Sequence, residues 1–357
     1  MSKKAFRRIV LAARPEGRPK PDDLRLEAGP IPEPRVGELL LETLYLSLDP
    51  YMRGLMNAAR GYTDPIGIGE VMVGGTVSRI ERSRHPHWEA GEFVVAQSGW
   101  QTHSLSDGAR LRRVDPRIAP LPTALGVLGM PGFTAYAGLR NIGKPKPGET
   151  VVVAAASGAV GSAVGQIARI MGARAVGIAG GAEKCTFVRE VLGFDAVVDH
   201  RAPDFSEQLA AACPNGIDVY FENVGGAVWD AVRPLLNPFA RIPLCGYIAH
   251  YNDSPGASVV DRLPAAMKDI VGKGLTVRGF IQTEFKDDQE AEFLRLAAEW
   301  VAHGRLRHRE DVVEGLENAP EAFMGLLEGR NFGKLLVRVA PESGPEETIS
   351  PSGQERT

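Results

Sequence analysis

A glycine-rich stretch in the middle of the chain has the residue types and spacing of a turn that binds a dinucleotide. Residues 151–165 read VVVAAASGAVGSAVG, so a short β-branched run gives way to glycines. Residues 156–161 fit the G-x-G-x-x-G pattern, with Ala156 in the place of the first glycine. Gly158 lets backbone N–H groups approach a pyrophosphate, and Gly161 lets the next helix pack close to the strand. The sequence therefore predicts a strand, a turn and a helix N-terminus that hold phosphates without a basic side chain.

A second turn, about twenty residues further on, indicates which dinucleotide is bound. Residues 175–179 (AVGIA) are typical of a strand, and an NAD-binding unit carries Asp or Glu at the end of this strand for the ribose hydroxyls. This chain has Gly180 and Gly181 there, followed by Glu183 and Lys184. The glycines leave space for a 2′-phosphate and Lys184 can meet its charge, which favours NADPH over NADH. The open alternative is that Glu183 turns inward and binds the ribose.

The elements that must position these turns form a doubly wound parallel sheet. After residue 121, short apolar strands alternate with helical patterns of small and apolar residues. Ligands of such sheets bind beyond the carboxyl ends of the strands. This rule brings Ser157, Gly180, Asn223 and Gly246 to one rim.

The first 125 residues predict a different kind of domain. Short apolar runs, among them the alternating residues 38–47, are separated by Gly and Pro, which is typical of a compact barrel. We assign residues 1–125 and 291–340 to this β-rich substrate domain and residues 126–290 to the NADPH-binding Rossmann domain. Residues 341–357 lack apolar anchors, so we predict a disordered tail.

Composition and cysteine content limit the partners. The 357 residues are 44% hydrophobic and 24% charged, as in ordinary globular enzymes, and the formal charge of −3 gives no attraction to nucleic acid or to an anionic membrane. No segment has the length of a membrane span. Cys185, Cys213 and Cys245 cannot form a disulfide framework or a CxxC site, which predicts a reduced, cytoplasmic setting. His85 and His87 have no partner at a ligand-like spacing, so we expect no metal.

Ten motifs in order carry a family resemblance. They are DPYMR at 49–53, GEVMVGG at 69–75, MPGFTAY at 130–136, AASGAVG at 155–161, AGGAEK at 179–184, DVYFENVGG at 218–226, LCGYIAHYN at 244–252, RGFI at 278–281, GLENAPEAF at 315–323 and GRNFGK at 329–334. With them, residues 6 to about 340 resemble the zinc-independent medium-chain dehydrogenase/reductases. Within that family the chain is similar to the leukotriene B4 12-hydroxydehydrogenase, prostaglandin reductase and 2-alkenal reductase group.

The resemblance implies a function and a set of cofactor contacts. The function is NADPH-dependent reduction of the C=C bond of an α,β-unsaturated aldehyde or ketone, by a Rossmann domain and a β-rich GroES-like domain, in a subunit that usually forms a homodimer. Lys184 would bind the 2′-phosphate, and His200 stands where the family often has Tyr. Phe280 and Asn331 would lie near the nicotinamide. The implied cofactor-binding residues are Ser157, Gly158, Ala159, Val160, Gly161, Gly181, Lys184, His200, Asn223, Cys245, Gly246, Tyr247, Phe280 and Asn331.

In such a reaction the substrate carbonyl oxygen gains enolate character when hydride reaches the β-carbon, and a hydrogen-bond donor near this oxygen lowers the barrier. Tyr251 is the first candidate, because it follows a predicted strand end and a phenol can donate to an oxyanion. Tyr51 and Tyr62 lie in loops expected to face the cofactor from the other domain. For each tyrosine the alternative is packing alone. The cofactor's ribose hydroxyl or water is then the alternative donor. Arg53 either holds a polar substrate tail or braces its loop. The predicted substrate-binding residues are Arg53, Tyr51 and Phe280.

Two other functions stay open. A quinone oxidoreductase shares the fold and NADPH but reduces a quinone, and the motifs around Tyr51 and Tyr251 favour the enone instead. A nucleotide-binding protein without catalysis is the second alternative, since a fold does not by itself imply activity.

Overall fold

The structure is a computed structural model, and it describes residues 5–61, 63–253 and 260–342. Two large β-sheets account for most of its strands. In chain order the strands are β1 (Phe6–Leu11), β2 (Leu24–Gly29), β3 (Leu39–Ser47), β4 (Thr76–Ser83), β5 (Phe93–Ala96), β6 (His103–Ser106), β7 (Arg112–Val114), β8 (Thr150–Ala154), β9 (Arg174–Ala179), β10 (Ala196–Asp199), β11 (Ile217–Phe221), β12 (Leu236–Leu244), β13 (Thr276–Gly279), β14 (Glu310–Glu314) and β15 (Lys334–Arg338). The α-helices are α1 (Tyr51–Leu55), α2 (Met130–Gly138), α3 (Ala159–Ile170), α4 (Ala182–Thr186), α5 (Phe205–Ala212), α6 (Gly226–Val232), α7 (Leu263–Lys273), α8 (Lys286–Ala302) and α9 (Ala319–Leu327).

The nucleotide sheet is parallel throughout and six-stranded, in the order β10-β9-β8-β11-β12-β13. Counted from β8, this is the 3-2-1-4-5-6 order of a doubly wound Rossmann sheet. The predicted fold is therefore confirmed. The strand order reverses between β8 and β11, so the ligand crevice opens beyond the carboxyl ends of these two strands.

The central strand β8 is buried on both faces, as its β-branched sequence predicts. Val151 and Val153 face one core, which α2, α3 and α8 cover. Val152 and Ala154 face the opposite core, which α5 and α6 cover. Because burial of one valine side chain contributes about 1.5–3 kcal/mol, this strand fixes the centre of the domain strongly.

The second sheet has seven strands, in the order β14-β15-β3-β4-β5-β7 with β6 also paired to β3. Strand β3 is buried along its whole length. The chain returns from the nucleotide domain to add β15 beside β3 and β14 beside β15. Strands β1 and β2 form a separate antiparallel pair.

The structure differs from the predicted segments at two places. The predicted boundary between residues 290 and 291 falls inside α8, whose residues Phe293 and Ala297 lie in the same core as Val151 of β8. The apolar face of α8 needs a partner surface, and α2 provides it. We therefore propose that the nucleotide domain extends through α8. The short apolar run at residues 70–81 (EVMVGGTVSRIE) predicts a strand over its whole length, but β4 begins only at Thr76. Of the predicted disordered tail, residues 343–357 lie outside the described residues.

None of the helices in the described ranges combines the length and apolar character that a bilayer span requires.

Candidate cofactor and substrate site

The turn between β8 and α3 is built as a close approach of two backbones. Ala155, and not Ala156, takes the left-handed conformation, with φ of 54°. A side-chain carbon on Gly161 would lie 2.2 Å from the Ala155 carbonyl oxygen, so only glycine fits there. Gly158 is the N-cap of α3 and donates its N–H to the Ala155 carbonyl. The first-turn N–H groups of α3 have no carbonyl partner within the helix, as at any helix N-terminus, and such groups can bind a diphosphate.

The other domain lies against this turn. Gly158 forms a parallel bridge with Gly333, just before β15. Further along α3, Gln166 donates its amide to the Arg307 carbonyl and accepts the Arg307 N–H, at 2.9 and 2.7 Å. Asn331 lies in the bridging segment and donates to the Gly333 carbonyl at 2.9 Å. The segments that carry Gly158 and Asn331, two of the predicted cofactor-binding residues, thus meet at the domain junction.

Basic side chains gather at the end of β9 and β10. Lys184 on α4 donates to the Gly329 carbonyl at 2.7 Å, which again links the two domains. Partial burial, followed by the nearby charge of Arg201, lowers the pKa of Lys184. The same two causes lower the pKa of His200. The predicted residues Gly181, Lys184 and His200 therefore lie together, and Arg201 is an addition that the sequence analysis missed. The sequence could have indicated Arg201, because it closely follows a predicted strand whose carboxyl end lies on the same rim.

The motif after β11 is held by internal hydrogen bonds. Asn223 donates its side-chain amide to the Ala154 carbonyl of β8 at 2.9 Å. The buried Glu222 carboxylate accepts the N–H groups of Val224 and Gly225 at 2.7 and 2.9 Å. Burial raises the pKa of Glu222. The amide of Asn223 thus fixes the crevice wall, and the contact with the ribose or adenine side of the cofactor that the resemblance implies for Asn223 stays a prediction.

The segment after β12 carries the first candidate for the donor. The Tyr251 hydroxyl lies 3.1 Å from where a side-chain carbon on Gly246 would be, so a side chain there would crowd the phenol. The Tyr251 ring meets Tyr247 edge-on, with 5.3 Å between ring centres. Cys245 and Gly246 donate their N–H groups to the Glu222 carbonyl. Desolvation raises the pKa of the Cys245 thiol to about 12, which keeps it neutral beside the crevice.

Phe280 is directed into the protein core. Its ring packs edge-on against Phe221, and a side-chain carbon on Gly138 of α2 would lie 2.7 Å from it. Its N–H binds the Leu244 carbonyl at 3.3 Å. This packing favours a cofactor contact through the Phe280 main chain rather than through its ring.

Arg53 is only 1% exposed and braces three segments. Its guanidinium donates to the Gly17 carbonyl at 2.6 Å, to Asn57 at 2.7 Å and to Asn252 at 3.2 Å. Burial lowers the pKa of Arg53, and the charge of Asp23 opposes that shift. Of its two predicted roles, the structure favours bracing over contact with a substrate tail, because these donors are already engaged inside the protein.

Tyr51 and Tyr62 are the other two tyrosines that the sequence predicts near the substrate. Tyr51 is the first residue of α1, not part of a loop, and its ring packs against the core of the β-rich domain. Tyr62 lies outside the described residues.

A buried ion pair joins two of the sequence motifs. Lys334 donates to Asp49 at 2.7 Å and to the Leu48 carbonyl at 2.9 Å, and both charged side chains are buried. Ser47 donates to the same carboxylate. The charged residues of the DPYMR and GRNFGK motifs therefore hold β15 to the end of β3, a role that the sequence analysis did not assign.

In residues 5–61, 63–253 and 260–342, no group of three or more His, Cys, Asp or Glu side chains is arranged to hold a metal ion.

A doubly wound sheet with a glycine turn, closed by a second β-rich domain, defines a two-domain dehydrogenase/reductase. Comparison with known proteins agrees. The family model described as the N-terminal domain of oxidoreductase matches residues 7–114, and the model described as zinc-binding dehydrogenase matches residues 159–299. The chain belongs to the medium-chain dehydrogenase/reductase family, in its zinc-independent group.

Several relatives match over nearly the whole chain. The NADPH-dependent curcumin reductase of Escherichia coli is 52% identical over 338 residues, which are 95% of this chain and 98% of that protein. Prostaglandin reductase 1 of Bos taurus is 40% identical over 90% of this chain and 95% of that protein. The crystal structure of CurA from Vibrio vulnificus in complex with NADPH has a TM-score of 0.90 and 52% identity, covering 94% of this chain and 99% of that chain.

Proposed function

We propose that this protein reduces the carbon–carbon double bond of α,β-unsaturated aldehydes and ketones with NADPH. The observation that carries the proposal is the likeness to the Escherichia coli curcumin reductase, which extends over nearly the whole chain. The cofactor also fits the residues present. Gly161 lets α3 pack closely against the Ala155 carbonyl, as a diphosphate-binding turn requires, and Lys184 and Arg201 supply positive charge at the strand ends beside the imidazole of His200.

We assign the cofactor contacts as follows. The turn from Ser157 to Gly161 holds the pyrophosphate, Lys184 lies at the 2′-phosphate, and Asn331 lies at the nicotinamide end. NADPH, when bound, supplies the hydride that adds to the β-carbon of the substrate. The protein's part is to hold the substrate and to stabilise the charge that develops on its carbonyl oxygen.

Tyr251 is the proposed donor to that oxygen. Its hydroxyl lies beside Gly246 at the carboxyl end of β12, on the rim where the crevice opens. One well-placed donor to an oxyanion is worth roughly 10²–10³ in kcat. Tyr51, at the start of α1, is the candidate from the other domain, and Tyr62 keeps the role predicted from the sequence.

A substrate panel tests this proposal. NADPH absorbance is followed with a medium-chain 2-alkenal, with 3-nonen-2-one and with a benzoquinone, and NADH is run in parallel. A secondary alcohol is tested with NADP⁺. We expect turnover of the alkenal and the enone with NADPH well above NADH. Activity confined to the quinone would move the function to a quinone oxidoreductase, and NADPH binding without any turnover would leave a nucleotide-binding protein.

The donor is tested by Tyr251→Phe, with Tyr136→Phe as the control. We expect a fall in kcat of roughly 10²-fold for Tyr251→Phe because the oxyanion loses its donor. Tyr136 lies on α2, where its hydroxyl accepts a bond from Arg140, so its loss should leave kcat unchanged. Full activity of Tyr251→Phe would exclude Tyr251 as the donor.

We further propose that the protein is a cytoplasmic homodimer. All three cysteines are free thiols, in keeping with a reduced compartment. Strand β13 lies at the sheet edge, exposed at each residue. Beside it α7 exposes Leu263, Met267 and Val271, at 66%, 51% and 79%. An open edge flanked by apolar side chains is a surface that a second copy would cover.

A further inference from the structure

The strand ends around Gly180 bring His200 and Arg201 over the first glycine of the second turn. Strands β9 and β10 are neighbours, and Ala179 pairs with Asp199, so the residues after both strands share one place on the rim. A side-chain carbon on Gly180 would lie 2.6 Å from His200 Nε2 and 3.0 Å from Arg201 Nε. The space that an acidic side chain fills in NAD-binding units is therefore filled here by basic groups.

The Asp199 carboxylate fixes this arrangement through main-chain hydrogen bonds. One of its oxygens accepts the Gly181 N–H at 3.0 Å and the Arg201 N–H at 2.9 Å, so both turns are held by their main chains. These bonds lower the pKa of Asp199. Among the described residues, the Arg201 guanidinium has no ion pair with a carboxylate.

The neighbouring Lys184 is partly engaged elsewhere. One of its N–H groups goes to the Gly329 carbonyl of the other domain. Asp311 and Glu183 raise its pKa, yet partial burial and Arg201 outweigh them. The cations of Lys184 and Arg201 therefore lie close enough to repel each other beside the imidazole of His200, an arrangement that a bound dianion would stabilise.

We propose that Arg201 is the main determinant of the choice between NADPH and NADH, because its guanidinium binds the 2′-phosphate. Guanidinium offers two parallel N–H groups to phosphate oxygens, whereas the ammonium of Lys184 acts as a point charge and also ties the two domains together. The proposal rests on the NADPH use proposed above.

Cofactor fragments test the assignment without catalysis. Calorimetry measures binding of 2′,5′-ADP and of 5′-AMP to the full chain and to Arg201→Ala. We expect Kd for 2′,5′-ADP to rise roughly 10- to 100-fold and Kd for 5′-AMP to stay within about twofold. Arg201 is exposed, so the variant should fold. Arg189→Ala is the matched control, because Arg189 is an exposed arginine paired with Glu190.

Two further variants sharpen the result. Arg201→Lys should bind 2′,5′-ADP more tightly than Arg201→Ala but less tightly than the unaltered protein, because lysine keeps the positive charge but lacks the two parallel N–H groups of guanidinium. Lys184→Ala should weaken 2′,5′-ADP less than Arg201→Ala does. Unchanged 2′,5′-ADP binding in Arg201→Ala, an equal loss for 5′-AMP, or a larger loss in Lys184→Ala would overturn the proposal.

The outcomes also separate this proposal from the proposed function. If the unaltered protein binds both fragments alike, Arg201 has no 2′-phosphate to select and the proposal fails. If it discriminates between them through Arg201 but reduces no enone, the reductase function fails and the assignment of Arg201 stands.

Discussion

At the scale of single residues, Arg53 connects the two sides of the crevice. It comes from α1 of the β-rich domain, yet one of its bonds goes to Asn252, the residue after Tyr251. Its guanidinium is buried and donates hydrogen bonds to carbonyl and amide oxygens. Arg53 therefore acts on the candidate donor through Asn252, as a positioning residue.

This role predicts matching effects of two substitutions. In Arg53→Met the bond to Asn252 is lost, so we expect kcat to fall about tenfold while KM for NADPH stays nearly constant. Asn252→Ala removes the same bond and should reproduce the fall, as steady-state kinetics of both variants would show. A fall in Arg53→Met alone would mean that Arg53 acts by bracing the Gly17 loop.

The cysteine thiols give a prediction on pH. Desolvation raises the pKa of Cys213 to about 11 and that of Cys245 from 9.0 to about 12. Both thiols therefore favour the folded state below pH 9, and this contribution to stability is lost as the pH rises towards 12. At pH 8 we expect them to react with a thiol reagent roughly 100- to 1000-fold more slowly in the folded than in the denatured chain. Fast labelling of the folded Cys185→Ser variant would contradict this.

At the scale of elements, the connection from β8 to α3 depends on Gly161, which has no side chain. The Gly161 position faces a carbonyl oxygen of the turn, which is backbone and cannot rotate away. The helix therefore lies closer to the strand than any side chain would allow. The same closeness aims the first turn of α3 at the crevice.

Gly161→Ala tests that closeness. The added methyl group must push α3 away from Ala155, so we expect a loss of about 1–3 kcal/mol in the free energy of unfolding and weaker binding of 5′-AMP. Gly54→Ala in α1 is the control, because no atom lies within 4 Å of its added carbon. Its helix propensity should raise stability by up to about 1 kcal/mol. Equal denaturant midpoints for the two variants would argue against the close approach.

At the scale of the whole molecule, the proposed homodimer depends on the edge at β13 and α7. Val271 is 79% exposed there, while Val36 is 80% exposed on the β-rich domain. We expect Val271→Glu to shift sedimentation from dimer to monomer, since a buried unpaired carboxylate is costly at an interface. Val36→Glu should leave the dimer intact. A dimer that tolerates Val271→Glu, or a monomeric unaltered protein, would refute this interface.

The local sequence correctly predicted the features that depend on local burial and backbone conformation. The β-branched run of β8, the glycines of the turn and the alternation of strands with helices each carry their own signal, because burial and backbone conformation select residue types directly. The resemblance in ten motifs added the family, which the comparisons confirm. Most predicted cofactor contacts still await a test.

Only the tertiary structure decided which side chains meet. The helical pattern near residue 290 indicates an amphipathic helix, but nothing in it tells which core α8 covers. Phe280 is an aromatic residue in a motif that implies a contact near the nicotinamide, but its ring packs inward against Phe221. Arg53 and Arg201 are both arginines near a predicted rim, yet Arg53 donates to oxygens of Gly17, Asn57 and Asn252, whereas Arg201 lies beside Gly180 and Gly181. Those contacts join residues far apart in the chain, so strand order and domain docking determine them, and no local pattern encodes either.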